Sequence, residues 1–541
     1  MRKKRILMCA ESSHVDSGFG NYTRNILSRL HNSGKYEIAE LSCYRTAQVP
    51  KKEPWKIYPN VPKDPEALQK YNSNPGNAFG SWGFDAACVD FKPDIVFDVR
   101  DYWMLNFVES SMLRPYFHWF VAPTIDSAPQ KNDWIKTFSN ADTVSGHTQW
   151  GIDYLKSTGT PMNLVDPVND AVDIELFDIS SQNKESIKSS LGLNPKDFIV
   201  GSVMRNQKRK LIPNLIKIIK EISKTQPNIK LYLHTSFPDL NGWELASILL
   251  EHDALDLVYV TYRCQKCKKF FARNFCDSVT GCHFCQNKTA TICNVSNGVQ
   301  DSELCQIFNS FDLYVQYAIC EGFGIPPVEA AACGVPVLTV DHGAMREVGE
   351  NIGATILPVQ TVFRELETNA DRVYPDDQAC IDTILEKYNE ISKMSFSQKL
   401  EQKENIRNKL ISSYSWDKTA KKFEEIFDNI ELTGLQGKWD SPLSLPKTDL
   451  KVPPLPSNRH VINFIIDHIV GAPWVKNIAS IQSMIKAVDI GYMNIGGKVN
   501  KFTMEQAVKS LENLMNTKYA WEMARHDKTK FPEIMKSVID Y

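Results

Sequence analysis

Residues Glu321–Pro336 read EGFGIPPVEAAACGVP, and their order decides the fold. The apolar run DLYVQYA (312–318) comes before them and reads as a buried strand. The run PPVEAAACG reads as a helix. Proline suits a first helical turn, because the N–H it lacks would have no partner there. Gly334 supplies the stop. A second apolar run, VPVLTV (335–340), follows. Strand, glycine-rich loop, helix and strand form the repeating unit of a parallel sheet covered by helices. This places Glu321 in the loop and Glu329 near the first turn. The free N–H groups and dipole of that turn favour an anion such as a diphosphate. Gly322 and Gly324 let a ligand approach the backbone. Two carboxylates would repel the phosphates themselves. They suit neutral hydroxyls on either side, one set on a ribose and one on a sugar. A carboxylate favoured by the helix dipole alone would account for Glu329, but not for Glu321 together with two glycines.

The same alternation extends outward. RILMCA, YEIAELSCY, DIVFDV and YFHWFVAPTI read as strands, and GNYTRNILSRLHNSG and TQWGIDYLKSTG as helices. After LGLNPKDF the pattern restarts with FIVGSVM, the helix LIPNLIKIIKEISKT, and the strands IKLYLHT and LVYVTY. It closes on the amphipathic helix YSWDKTAKKFEEIFDNI. Two α/β domains are expected, at 1–190 and 191–430. Residues 44–83, rich in Pro, Lys and Asn, read as a surface excursion. A proline-rich linker is expected at 431–458 and a helical extension at 459–541.

With 541 residues, 43% hydrophobic and 23% charged, the composition is that of a soluble globular protein. A net charge of −2 gives no overall attraction to nucleic acid or anionic membrane. No apolar run reaches the length of a membrane span. The start, MRKKRILMCAESS, is too briefly apolar for a signal peptide and reads as a first strand. Thirteen cysteines, most of them isolated in apolar segments, fit a reducing cytoplasm. No Asp-x-Asp pair is present to clamp a metal-bound diphosphate, so no catalytic metal is expected.

The segment EGFGIPPVEAAACGVPVLTVDHGAMREV resembles the E-x7-E signature of the family 4 retaining glycosyltransferases of the GT-B fold. The resemblance implies two Rossmann-like domains facing a cleft, with the acceptor on the first and a nucleotide-sugar on the second. It implies that Glu329 binds donor ribose, that Glu321 binds sugar hydroxyls, and that Gly322, Phe323 and Gly324 line the sugar-diphosphate pocket. Glu347 matches a family Glu, although only Gly343 is kept of the Gly-Gly turn before it. GSVMRNQKRKLIPNLI resembles the Arg-x4-Lys segment, with Arg205 and Lys210 at that spacing to neutralise the leaving diphosphate. Taken alone, this loop, which also holds Lys208 and Arg209, would read as a solvated basic surface. Gly18 and Gly20, after the first strand, resemble the glycine loop that approaches the donor from the other side. Asp126, in a Pro-x-x-Asp pattern, stands where many members have a cleft-facing His. His118 reads as a core or cleft-wall residue, and Thr148 or Ser145 as the cap of the next helix. In NDAVDIELF, Ala171 replaces a family glycine.

The segment CQKCKKFFARNFCDSVTGCHFC holds Cys264, Cys267, Cys282 and Cys285 as C-x2-C-x14-C-x2-C. Two knuckle pairs suit one closed tetrahedral zinc, so a structural zinc ribbon is expected at 261–293. Cys276, His283 and Cys293 are further ligand candidates. Residues 261–290 carry six basic side chains against Asp277, with Tyr262, Phe270, Phe271, Phe275 and Phe284 among them. Basic plus aromatic residues describe a nucleic-acid surface. The aromatics equally describe the core a mini-domain requires.

The expected activity is retaining transfer of a sugar from a nucleotide-diphosphate sugar, of the UDP type, to a hydroxyl. The insert and the accessory C-terminus resemble tailed-phage glycosyltransferases, which implies an acceptor such as hydroxymethylated cytosine in DNA and a host-cytoplasmic location. The alternative acceptor is a glycan or lipopolysaccharide, with Arg24, Arg29 and Lys35 available to touch an anionic membrane. The alternative of another class is a nonenzymatic nucleic-acid-binding protein on a degenerate transferase scaffold.

Overall fold

The computed structural model describes residues 2–439 except 16, 295 and 296, together with two short later strands. The first half is a wholly parallel sheet. Its strands are β1 (Arg5–Glu11), β2 (Glu37–Thr46), β3 (Lys56–Val61), β4 (Ile95–Arg100), β5 (His118–Pro123) and β6 (Thr143–Val144), in the order β3-β2-β1-β4-β5-β6. Every residue of β4 and of β5 is buried, as both faces of a helix-covered sheet require.

The second half holds β7 (Phe198–Val203), β8 (Ile229–His234), β9 (Val258–Cys264), β10 (Phe270–Asn274), β11 (Thr280–Gly281), β12 (Lys288–Ile292), β13 (Leu313–Val315), β14 (Val337–Val340) and β15 (Thr355–Leu357). The order is β11-β12-β9-β8-β7-β13-β14-β15, with β10 also on β9. Strands β7, β8, β9, β13, β14 and β15 are parallel, and β10 to β12 join antiparallel. A hairpin of β16 (Val359–Arg364) and β17 (Asp371–Pro375) follows. In each half the strand order reverses about one strand, at β1/β4 and at β7/β13. Ligands of open parallel sheets bind outside the strand C-termini at such points.

Three expectations on organisation change. The excursion at 44–83 is only partly surface. It contains β3, which pairs with β2, and it buries Trp55, whose indole N–H donates to Glu40 at 2.9 Å. The closing helix, Trp416–Asn429, ends the second domain in sequence but packs on the first. Its Phe423 ring lies 4.6 Å from that of Phe97 and 5.9 Å from that of Phe120. The physical reason is its apolar stripe of Trp416, Ala420, Phe423 and Phe427, which fits the open face of the first sheet. Residues 431–439 also dock on the first half, but with Trp439 in the cluster of the sheet's other face, where its indole donates to the Pro93 carbonyl at 2.8 Å. The rest of the linker, and the helical extension apart from two short strands, lie outside the described residues. Within that region the described strands Tyr492–Ile495 and Lys498–Lys501 pair antiparallel, where a helical pattern was expected.

Candidate active site

The loops after β7 and β13 meet at the second switch point. Isolated bridging joins Lys210 to Ala318, and Leu211 N–H donates to the Tyr317 carbonyl at 3.1 Å. This backbone zipper brings Lys210 to Glu321, and both side chains are buried. The Lys210 ammonium contacts Glu321 Oε1, Arg209 Nη1 lies 2.7 Å from Oε2, and Gln316 donates to Oε1 at 2.7 Å. Burial, then the Arg209 guanidinium, act to lower the Lys210 pKa. Cys320 acts the other way.

Of the predicted Arg-x4-Lys pair, only Lys210 reaches Glu321. Arg205 is 59% exposed and sits 3.3 Å from Asp239. Arg209, one residue before Lys210, takes the inner place. The sequence offered it only as part of a basic loop.

The helix after Glu321 is Ile325–Ala332, with Gly324 at its N-cap in the left-handed region (φ 91°) and no side-chain cap bond. Pro326 and Pro327 carry no N–H, so what this turn offers an anion is the Gly324 and Ile325 amides and the helix dipole. Gly322 is required by close approach. A Cβ there would lie 2.1 Å from Thr124 Cγ2 on the first half. Phe323 departs from expectation: its ring is buried edge-on against Tyr414 at 5.1 Å, in the core rather than lining a pocket. Glu329 is buried one turn into the helix. Burial pushes its carboxyl up to about 8, and Asp301 and Cys305 add to the shift.

The first half supplies the opposite wall. Gly18 opens the helix Gly18–Asn32, capped by Ser17, and a Cβ on it would lie 3.4 Å from Ile325 Cδ1. The N-termini of two helices, one from each half, thus meet. Gly20 has a local role. A Cβ there would lie 2.2 Å from the Val15 carbonyl, so the turn itself requires glycine. Asp126 faces the second half, with Arg372 Nη1 at 2.9 Å and the Cys320 thiol donating at 3.5 Å. Asp101, at the end of β4, was not singled out from the sequence. Burial raises its pKa to about 6, Asp126 and Glu11 add to the rise, and Arg209 opposes it. Its position beside the switch point was the available signal.

Other expected residues are structural. His118 is buried at the start of β5, at the sheet end remote from the cleft, and meets Thr143 at 2.9 Å. Thr148 caps the helix Gln149–Ser157. Glu347 joins that cap from the other half, accepting from Gln149 N–H at 2.9 Å and Trp150 N–H at 2.6 Å.

Cys264, Cys267, Cys282 and Cys285 bring their sulfurs within 4.8 Å of one another. Cys264–Cys285 is 3.7 Å and Cys267–Cys282 is 3.6 Å. A tetrahedron of about 2.3 Å Zn–S bonds has an edge near 3.8 Å, so the residues fit zinc. Cys276, His283 and Cys293 stand outside this cluster among the described residues. Of the interleaved aromatics, Tyr262, Phe270, Phe271 and Phe275 are buried and only Phe284 is exposed, with Lys269 Nζ 4.8 Å from its ring centre.

Residues 287–357 match the family model for glycosyl transferases group 1, a span that holds Glu321, Glu329 and Glu347. No curated protein matches the chain. Among solved structures, the sucrose-phosphate synthase of Thermosynechococcus elongatus aligns at TM-score 0.57 and 16% identity, over 79% of this chain and 98% of its own. Anabaena Alr3699/HepE in complex with UDP-glucose aligns at 0.54 and 13%, over 79% and 100%. The E. coli trehalose-6-phosphate structure bound with UDP-2-fluoro glucose aligns at 0.52 and 12%, over 79% and 100%. Two parallel α/β halves, each turning at a switch point and meeting helix N-terminus to helix N-terminus, form the GT-B fold of the glycosyltransferases.

Proposed function

We propose that the chain transfers a glycosyl unit from a UDP-type sugar to an acceptor hydroxyl with retention of configuration. The observation that carries this is Glu321, held by Lys210 and Arg209 beside the free N-terminus of the Ile325–Ala332 helix. A donor diphosphate entering at the facing helix ends draws both cations to its oxygens. Glu321 is then free to accept from sugar hydroxyls, and Glu329 to accept from ribose. The bond from the anomeric carbon to the diphosphate oxygen breaks, while the acceptor oxygen bonds to that carbon on the same face. The acceptor's proton passes to the departing diphosphate oxygen, so no protein nucleophile is used. Asp126 and Asp101 border the acceptor side of the cleft.

The cysteine cluster is read as a structural zinc centre. Zinc there would lock the two knuckles, and it stands outside the transfer chemistry. For the acceptor, hydroxymethylated cytosine in DNA is supported by the exposed Lys266, Lys268 and Lys269, of which Lys269 lies over the exposed Phe284 ring. A membrane-bound glycan acceptor is less favoured, because Arg24 and Arg29 of the first helix and Lys35 just after it are paired. Arg24 meets Asp301, Arg29 meets Asp417, and Lys35 meets Glu424 and Asp428. Among the described residues no helix is long and apolar enough to cross a membrane.

The test is donor turnover. Purified protein with UDP-glucose and hydroxymethylated DNA should release UDP and label the DNA with the anomeric configuration kept. Inversion would remove the retaining mechanism. Label on lipid-linked glycan alone would remove the DNA acceptor. Binding of DNA with no turnover of any nucleotide sugar would favour the nonenzymatic reading.

A further inference from the structure

The zinc ribbon is not an appendage on a stalk. Strand β9 begins inside the parallel sheet, pairing Val258 to Val260 with β8, and runs without a break to Cys264. Ribbon side chains Tyr262, Phe271 and Ala290 share one apolar cluster with Leu231 and Ile212 of the nucleotide half. Register places Arg263, beside the first ligand cysteine, opposite Phe270 on β10 and Thr291 on β12.

Arg263 turns toward the nucleotide half and is largely shielded. Its Nη1 lies 2.7 Å from Glu303 Oε2 and donates to the Gly298 carbonyl at 3.0 Å. Glu303 is no ordinary surface carboxylate. The same Oε2 accepts from Gln300 N–H at 2.8 Å, which closes the capping box of the helix Asp301–Ser310. That helix packs in the core formed by Val328 and Ala330–Ala332 of the Glu329 helix. Its first residue, Asp301, acts electrostatically on Glu329. Contacts thus run from the cysteine cluster through Arg263 and the Glu303 cap to the helix Asp301–Ser310, which packs against the helix that carries the carboxylate assigned to ribose. Such shielded charge-assisted bonds fix geometry more firmly than surface pairs.

We propose that Arg263 is a positioning residue for the nucleoside end of the donor, and that the zinc-loaded cysteine cluster holds it in place. This rests on the donor reading above. The coupling is selective. The diphosphate is held by Lys210, Arg209 and two helix N-termini, none of which touches Arg263, so pyrophosphate binding is independent of the ribbon.

The experiment is calorimetric titration of the full chain with UDP, uridine monophosphate and pyrophosphate, alongside zinc content by atomic absorption. Arg263→Gln, still holding one zinc per chain, should bind UDP and uridine monophosphate about tenfold more weakly, with pyrophosphate unchanged. Arg263→Lys should recover part of the loss, because both bonds leave the single nitrogen Nη1 and an ammonium can donate to both acceptors, although from a shorter side chain. Zinc removal by chelation should reproduce the Gln result. Unchanged UDP affinity in Arg263→Gln overturns the proposal. Equal loss of pyrophosphate also overturns it, since that would report general loosening. If the unaltered protein binds pyrophosphate but not UDP, the donor reading itself fails, and the two failures are told apart.

Discussion

Glu329 gives the sharpest handle on the donor site, because its proton is linked both to folding and to binding. Burial raises its carboxyl from 4.5 to about 8, with Asp301 and Cys305 contributing. An unfolded chain ionises this group near its ordinary value, while the folded protein keeps it protonated up to about 8. Between those values the folded state binds more protons, so this group's contribution is full below 4.5 and is lost as pH rises to 8. The slope is at most about 1.4 kcal/mol per pH unit. Donor binding runs the opposite way. Two ribose hydroxyls donate best to an ionised carboxylate, so the bound state favours the anion and binding releases a proton. If only the ionised form binds, apparent Kd rises above its high-pH limit by about twofold at pH 8, elevenfold at pH 7 and a hundredfold at pH 6. UDP-glucose is the ligand of choice, because its diphosphate diester does not titrate in this range. Calorimetry from pH 6 to 9, repeated in buffers of different ionisation enthalpy, reads both the affinity and the proton count. Glu329→Gln should bind weakly at every pH and lose the slope. A flat profile in the unaltered protein, or the same slope in Glu329→Gln, refutes the ribose assignment.

Arg209→Ala should lower kcat far more than Arg205→Ala, and Lys210→Ala by on the order of a hundredfold or more, because only Arg209 and Lys210 converge on Glu321. Steady-state turnover of a nucleotide sugar measures all three, and equal losses at 205 and 209 would count against the geometry. Gly322→Ala places a methyl about where Thr124 Cγ2 lies, so the halves must part; activity should fall sharply and return in part with Thr124→Ser in the same chain. Phe423→Ala should cost about 3–5 kcal/mol in denaturant unfolding, since its ring is fully buried between the last helix and the first sheet. A loss below about 1 kcal/mol would mean that the helix does not stay docked.

The elements legible in the sequence were those whose signal is local. Strand runs, the proline-led helix stopped by Gly334, and the paired cysteine knuckles all carry their cause within a few residues. Long-range pairing is where the reading changed. YSWDKTAKKFEEIFDNI announced an amphipathic helix, but no pattern within it states which sheet its stripe of Trp416, Phe423 and Phe427 will cover. Arg205 and Arg209 show the same limit at the scale of one loop. Spacing favoured Arg205, yet which of two arginines turns inward is set by the zipper of Lys210 on Ala318, a contact about 110 residues away in sequence. Asp101 escaped notice for a related reason. A carboxylate at a strand end becomes distinctive only when Asp126 and Glu11 are brought beside it.

If Glu321, Lys210 and Arg209 form the donor site proposed above, their contacts explain how one pocket would serve both folding and transfer. A buried carboxylate without a partner would cost several kcal/mol, and so would a buried ammonium. Each neutralises the other while the cleft holds no donor. A diphosphate entering between the two helix N-termini is a stronger partner for Lys210 and Arg209, since it carries more charge and more acceptor oxygens. On the proposed donor reading, Glu321 would then give up its cations and gain sugar hydroxyls, leaving no charge unpaired. Cross-cleft contacts at Gly18, Gly322, Asp126 and Glu347 keep the two walls in register during this exchange. On that reading the chain's own side chains would hold the place of the substrate, and the site would need no rebuilding when a donor arrives.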